Sequence, residues 1–256
     1  MSAKTIVVVP CFNEAARLDR DFLGSFLERP GIDLILVNDG STDGTEALLR
    51  EWTAARAGHA RVLSLVKNQG KGEAVRQGIL TALREDPAIV GYVDADGATP
   101  AVECWRLLDF LDGHPETVAV LGARIKLLGL DIRRSLSRHY TGRVFATAVS
   151  WILDLPVYDT QCGAKFFRNG PLTRRTFQPP FSSRWFFDVE LIGRLAAQVR
   201  VSGRNPESTL LEVPLHAWHD IAGSKRGLSV YGRALWDLMR MARGLSRFEK
   251  TIAPDK

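Results

Sequence analysis

Between Thr5 and Val93 the chain carries four short apolar runs rich in β-branched residues, Thr5 to Val9, Leu34 to Val37, Val62 to Val66 and Ile89 to Val93. A run of this length without polar alternation suits a strand buried on both faces. Between the runs lie Glu14 to Leu27, Asp43 to Arg56 and Glu73 to Arg84, with apolar residues at helical spacing and candidate caps at Asn13 and Thr42. The order β-α-β-α leaves few solutions, and the expected one is an α/β fold whose mostly parallel sheet is covered by helices on both faces. In such sheets ligands bind beyond the carboxyl ends of the strands. The segments at those positions are Cys11-Phe12-Asn13-Glu14, Asn38-Asp39-Gly40-Ser41, Lys67 to Gly72 and Asp94-Ala95-Asp96-Gly97, all polar or glycine-rich.

At 256 residues and 45% hydrophobic content the chain is long enough to bury a full core, and its 25% charged residues exclude a disordered or collagen-like class. Cys11, Cys104 and Cys162 are odd in number and form no CxxC pair, which points to a reducing compartment and away from a disulfide scaffold or a zinc site. The run Met1 to Pro10 is too short for a signal peptide and reads as a strand. Val144 to Val157 is interrupted by Asp154 and falls short of the roughly 20 residues of a spanning helix, so it is expected to be a core or interfacial helix. The expected location is cytoplasmic, peripheral at a membrane. The formal charge of +5 suits an anionic partner.

After Arg124 the periodicity loosens into a basic stretch, a hydrophobic helix, a turn-rich loop and a helix from Trp185 to Ala197. From Val230 to Phe248, Arg233, Arg240 and Arg247 recur every seven residues while Leu235, Leu238, Ala242 and Leu245 occupy another face. That is an amphipathic basic helix, which either packs on the domain or lies on anionic lipid. The expected division is a catalytic domain over 1–229 and a C-terminal helix and tail over 230–256.

Asp94 and Asp96 end an apolar strand two residues apart, so both carboxylates point to one face. Two like charges that close favour a cation beside them, and hard oxygen ligands bridging a diphosphate suit Mg²⁺ or Mn²⁺. Gly97 lets the backbone turn away. Lys71 follows glycines at a helix start, where the dipole favours an anion, although a solvated helix-start lysine fits the segment equally. Asp39 and Glu14 either bind a base or ribose or simply cap helices. Asp188 opens the helix after Trp185 and is either a base or a first-turn acid complementing the dipole. His216 and His219 have HxxH spacing without a third ligand in sequence.

Val9-Pro10-Cys11-Phe12-Asn13-Glu14, Val37-Asn38-Asp39-Gly40-Ser41-Thr42-Asp43-Gly44-Thr45 and Asp94-Ala95-Asp96 resemble the family 2 glycosyltransferases of the GT-A fold. Asn68 to Gly72, Asp94 to Thr99, Asp159 to Lys165, Arg184 to Leu191 and Gly223-Ser224-Lys225 are similar to its dolichyl-phosphate β-glucosyltransferase branch. The resemblance runs from about Thr5 to Arg247. It implies an inverting transfer of glucose from UDP-glucose to a polyprenyl phosphate. Gly97-Ala98 after the second aspartate, where the mannosyl branch has Leu-Gln, favours UDP-glucose over GDP-mannose.

By position the resemblance assigns the donor to Pro10, Phe12, Glu14, Asp39, Lys71, Asp94 and Ala95, and the metal to Asp94 and Asp96. The residues expected to carry catalysis are Asp96, Lys71 and Asp188. Candidates for the acceptor side are Arg124, whose counterpart in relatives contacts the acceptor phosphate, together with Arg138, Trp185 and Lys225. Arg133 and Arg134 read as a solvated surface. The expected partners are a nucleotide sugar, a polyprenyl phosphate lipid and a membrane surface, with no nucleic acid. The rivals are a soluble transferase acting on a sugar or metabolite hydroxyl and a silent nucleotide- or lipid-binding module.

Overall fold

The computed structural model describes residues 4–133, 136–184, 186–220 and 229–252. The four expected strands form as β1 (Thr5–Cys11), β2 (Ile32–Asn38), β3 (Ala60–Ser64) and β4 (Ile89–Val93), separated by α1 (Arg20–Phe26), α2 (Thr45–Ala54) and α3 (Lys71–Leu83). They are followed by α4 (Ala101–Gly113), β5 (Ala119–Ala123), β6 (Asp131–Arg133), α5 (Leu136–Leu153), β7 (Ala164–Arg168), α6 (Pro171–Phe177) and α7 (Phe187–Val201). A short α8 (Pro206–Thr209), β8 (Leu210–Pro214), β9 (Ala217–His219) and α9 (Ser229–Ile252) complete the order.

Seven strands make one sheet in the order β3-β2-β1-β4-β7-β5-β8, and β6 pairs with β9 apart from it. β1 is parallel to both β2 and β4, while β7 runs antiparallel to its neighbours β4 and β5. The chain moves outward from β1 to β3 and then returns to place β4 on the other side of β1, so the winding reverses there. The crevice opens beyond the carboxyl ends of β1 and β4, where such a reversal leaves room between loops. Pro10 to Glu14, Asn38-Asp39 and Asp94 to Asp96 therefore meet.

Burial on both faces explains the unbroken apolar runs. Ile6 and Val8 of β1, with Ile35 and Val37 of β2, pack on one core with Val75 and Ile79 of α3 and the apolar side chains of α7 such as Leu191 and Leu195. Val7, Val9, Leu34 and Leu36 point the other way, onto Phe22 and Phe26 of α1, Leu49 and Trp52 of α2 and Leu107 and Leu111 of α4. A one-residue slip in either strand would exchange these sets.

Two elements, α1 and β3, start elsewhere than the sequence expectation. α1 starts at Arg20 rather than near Glu14, because Asn13 takes a left-handed φ of 53° and Asp19 supplies the cap, accepting from the Asp21 and Phe22 N–H groups. Asn13 does not cap a helix. Its Oδ1 accepts from Thr42 N at 2.9 Å, tying the β1 loop to the β2 loop. β3 lies two residues earlier than its apolar run, since Leu65 N turns to Asn38 O at 2.9 Å and leaves Val66 fully exposed.

The second half of α9 packs against the rest of the chain. Met241 and Leu245 are buried in the same core as α3 and α7. A Cβ on Gly193 of α7 would come within 2.7 Å of Leu245, so the glycine is what allows α9 to approach. Arg243, Arg247 and Lys250 are exposed, whereas the side chains of Arg233, Leu235, Leu238 and Arg240 lie outside the described residues. No helix among the described residues is long and apolar enough to cross a membrane.

Candidate active site

Asp94 and Asp96 leave the end of β4, and Gly97 turns the chain with φ 71°. Lys71, the first residue of α3, places Nζ 2.5 Å from Asp94 Oδ1. Apart from this ion pair, Asp94 Oδ1 is buried and receives no hydrogen bond. Asp96 Oδ1 accepts from Ala98 N at 3.0 Å. Burial and then the neighbouring Asp94 charge push the Asp96 carboxyl above its ordinary value. Burial alone would lower the Lys71 ammonium, but Asp94, Asp188 and Asp96 outweigh it, and the group is held above the usual lysine value. Lys71 is therefore charged at neutral pH.

The three loops around this centre are sewn together by their own backbones. Glu14 N donates to Thr45 Oγ1 at 2.8 Å, and Asn13 N to Ser41 Oγ at 3.0 Å. Asp39, only 2% exposed, accepts from Gln69 N and Gly70 N at 2.8 Å and from Asn68 Nδ2 at 3.0 Å. It caps no helix, and it holds the loop that delivers Lys71. Glu14 is buried and ion-paired with Arg17, with Arg17 Nη2 2.6 Å from Oε1. Pro10 is half-buried, Ala95 is buried, and Phe12 stands exposed at the rim.

Arg124, the residue expected to meet the acceptor, leaves the end of β5 and is gripped by Asp159, with Nε to Oδ2 at 2.6 Å and Nη2 to Oδ1 at 2.8 Å. Burial alone would lower its guanidinium, and the Asp159 charge and hydrogen bonds raise it further instead. Glu212 of β8 accepts from Asp159 N at 2.7 Å and Tyr158 N at 2.6 Å, which fixes that segment. A small cavity beside the pair is lined by Arg124, Arg143, Phe145, Tyr158 and Gln161. Arg138 belongs to α5, but its side chain lies outside the described residues, as do Trp185, Lys225 and Arg134. Arg133 is a surface residue paired with Asp131.

Asp188, which the sequence left as either a base or a first-turn acid, is drawn into the core at the start of α7. It is 3% exposed, and its Oδ1 receives Lys165 Nζ at 2.6 Å and the Tyr92 hydroxyl. The carboxylate is committed to a buried network beneath Lys71. His216 and His219 make no metal site: His219 pairs with Asp131 at 2.8 Å, His216 N donates to Glu103, and no cluster of three potential ligands occurs among the described residues. Cys11, Cys104 and Cys162 are free and buried.

Sequence reading assigned no role to Arg17, Arg143, Arg184 or Lys165. Arg184 carries the same loop as Asp39, its Nε donating to Gln69 O at 3.0 Å. Asp159 and Lys165 stood inside a motif whose residue types alone did not say which of them turn inward.

The mostly parallel sheet carries an acidic pair at a strand end with a lysine beside it, and the chain belongs to glycosyl transferase family 2, whose model matches residues 6–174, so it is a glycosyltransferase. It is similar to the dolichyl-phosphate β-glucosyltransferase of Saccharomyces cerevisiae, at 28% identity over 93% of this chain and 72% of that protein. The enzyme of the same description from Drosophila melanogaster is 31% identical over 95% of this chain and 74% of its own. Among solved structures, glucosyl-3-phosphoglycerate synthase from Mycobacterium tuberculosis in complex with Mn²⁺, UDP and glucosyl-3-phosphoglycerate shares the fold. The TM-score is 0.60 at 19% identity, covering 99% of this chain and 82% of that one.

Proposed function

We propose that this enzyme transfers glucose from UDP-glucose to a polyprenyl phosphate, with inversion at the anomeric carbon, while attached peripherally to a membrane. The single observation that carries the acceptor class is the engagement of Asp188. A hydroxyl acceptor requires a base, and the carboxylate at the start of α7 is buried against Lys165 and Tyr92. A phosphomonoester brings its own negative charge at neutral pH and attacks without one. The glucosyl group and the dolichyl-phosphate acceptor in the names of the similar dolichyl-phosphate β-glucosyltransferases agree with this reading.

A divalent ion fits the donor side. Asp94 Oδ1 is a buried oxygen with only one ionic partner, and the raised Asp96 carboxyl marks excess negative charge beside it. Two carboxylates without a third protein ligand suit an ion that completes its shell with diphosphate oxygens, as Mg²⁺ or Mn²⁺ does. When bound, the ion supplies charge stabilisation to the leaving diphosphate. Lys71 adds a fixed positive charge from the first turn of α3. The loops bearing Asn13, Asp39 and Asn68 are already hydrogen-bonded to one another, so donor binding requires little reorganisation of them. Pro10, Phe12, Glu14, Asp39 and Ala95 are the residues proposed to contact the nucleotide. Arg124, Arg138, Trp185 and Lys225 are proposed to meet the acceptor.

The test is a donor-by-acceptor screen with purified protein, UDP-glucose and GDP-mannose each offered with a polyprenyl phosphate and with water-soluble hydroxyl acceptors. The expected product is the glucosyl lipid phosphate from UDP-glucose. Preference for the mannose donor would overturn the sugar assignment. Transfer to soluble hydroxyls alone would overturn the lipid.

A further inference from the structure

Lys165 is the second residue of β7, opposite Tyr92 of β4, and is 0% exposed. A buried ammonium is costly to desolvate unless it is closely paired and hydrogen-bonded, so its two bonds explain how this position tolerates a lysine. Nζ donates to Cys162 O at 2.5 Å and to Asp188 Oδ1 at 2.6 Å. Each bond leads to one half of the diphosphate site.

The first bond fixes the turn before β7. Gly163 O in that turn accepts from Asp94 N at 2.9 Å, and a Cβ on Gly163 would collide with the Asp94 carboxylate. The turn is thus the wall against which the metal-side carboxylate rests. The second bond fixes the start of α7. Phe187 there lies under Lys71, with Nζ 5.9 Å from the ring centroid, and its side chain packs where Gly72 has no Cβ. The Asp188 charge also faces the Lys71 ammonium from below and favours its charged form.

We infer that Lys165 is a positioning residue for the donor diphosphate, holding Asp94 through the Cys162-Gly163 turn and Lys71 through Asp188 and Phe187. It touches no substrate. This role rests on the donor reading above, and it assigns Asp188 to the same task in place of proton abstraction.

Two variants test it. Lys165→Met with Asp188→Leu replaces the buried ion pair by apolar side chains of similar volume, a change that buried pairs often tolerate. Asp188→Asn alone keeps the shape and removes the charge. Folding is checked by thermal melts, and binding of UDP with and without Mn²⁺ is measured by calorimetry. Both variants are expected to fold, Asp188→Asn with a lowered melting temperature because it leaves the Lys165 ammonium unpaired, and to bind UDP in the presence of Mn²⁺ about 10-fold to 100-fold more weakly, the usual effect of losing a partner that orients a metal ligand. The KM for the acceptor is expected to stay within about twofold. A folded variant of either kind that binds Mn²⁺ and UDP with wild-type affinity overturns the inference. If the wild-type protein itself shows no Mn²⁺-dependent UDP binding, the donor reading fails first, a result distinguishable from loss confined to the variants.

Discussion

Asp96 is the residue at which charge and function are most directly linked. Burial and the Asp94 charge raise its carboxyl above the ordinary value, whereas a divalent ion requires the ionised form. Affinity for Mn²⁺ with UDP is therefore expected to fall with decreasing pH from a point above the ordinary carboxylate range, as calorimetry across a pH series will show. The stability sign is opposite. A raised folded-state value contributes stability below the unfolded value and loses it as pH rises through the folded one. Asp96→Asn should then raise the melting temperature of metal-free protein at neutral pH and do so less in acid. The same substitution is expected to lower transfer by roughly 10²-fold or more, since it removes charge from the metal side of the leaving group. At Arg124 the direction is simpler. Asp159→Asn breaks a buried bidentate pair and should destabilise the fold by about 3–5 kcal/mol in urea titrations.

At the scale of elements, α9 serves two surfaces. Its inner face carries Met241 and Leu245 into the core shared with α7, so Leu245→Ala is expected to cost about 2–4 kcal/mol of stability by urea unfolding. Its outer face presents Arg243, Arg247 and Lys250 to solvent. Basic groups near an anionic membrane contribute roughly 1 kcal/mol each and are screened by salt. Co-sedimentation with anionic liposomes is therefore expected to fall as salt rises, and to fall further when these three residues are changed to Glu, without loss of folding. Equal sedimentation by that variant would assign membrane attachment to another part of the chain.

Across the whole molecule, the reversal of winding at β1 makes one crevice out of loops distant in sequence. Residues 11–14, 38–41, 67–72 and 94–97 meet because β1 lies between β2 and β4. β7, inserted antiparallel between β4 and β5, brings the 159–163 segment to the same end and with it the partner of Arg124 and the wall behind Asp94. The Asp94 and Arg124 clusters are thus joined through one strand.

The apolar runs and the helical segments between them were enough to determine a covered, mostly parallel sheet, because a strand-helix-strand order joins neighbouring strands by crossovers that lie on the sheet faces. The same pattern placed Asp94, Asp96 and Lys71 at its carboxyl edge, and the motifs around them carried the family. What the sequence left open were choices between partners that lie far apart in the chain. Asp39 was legible as a cap or a ligand, and only the tertiary structure directs it to the Gln69 and Gly70 N–H groups. Asp188 was legible as a base, yet packing places Lys165, 23 positions away, against it. The amphipathic pattern of α9 was compatible with lipid or protein, and the glycine at 193 on another helix settled its inner face. Local periodicity reports whether a side chain is inside, whereas the charge that meets it there is decided by strand order, which local spacing does not encode.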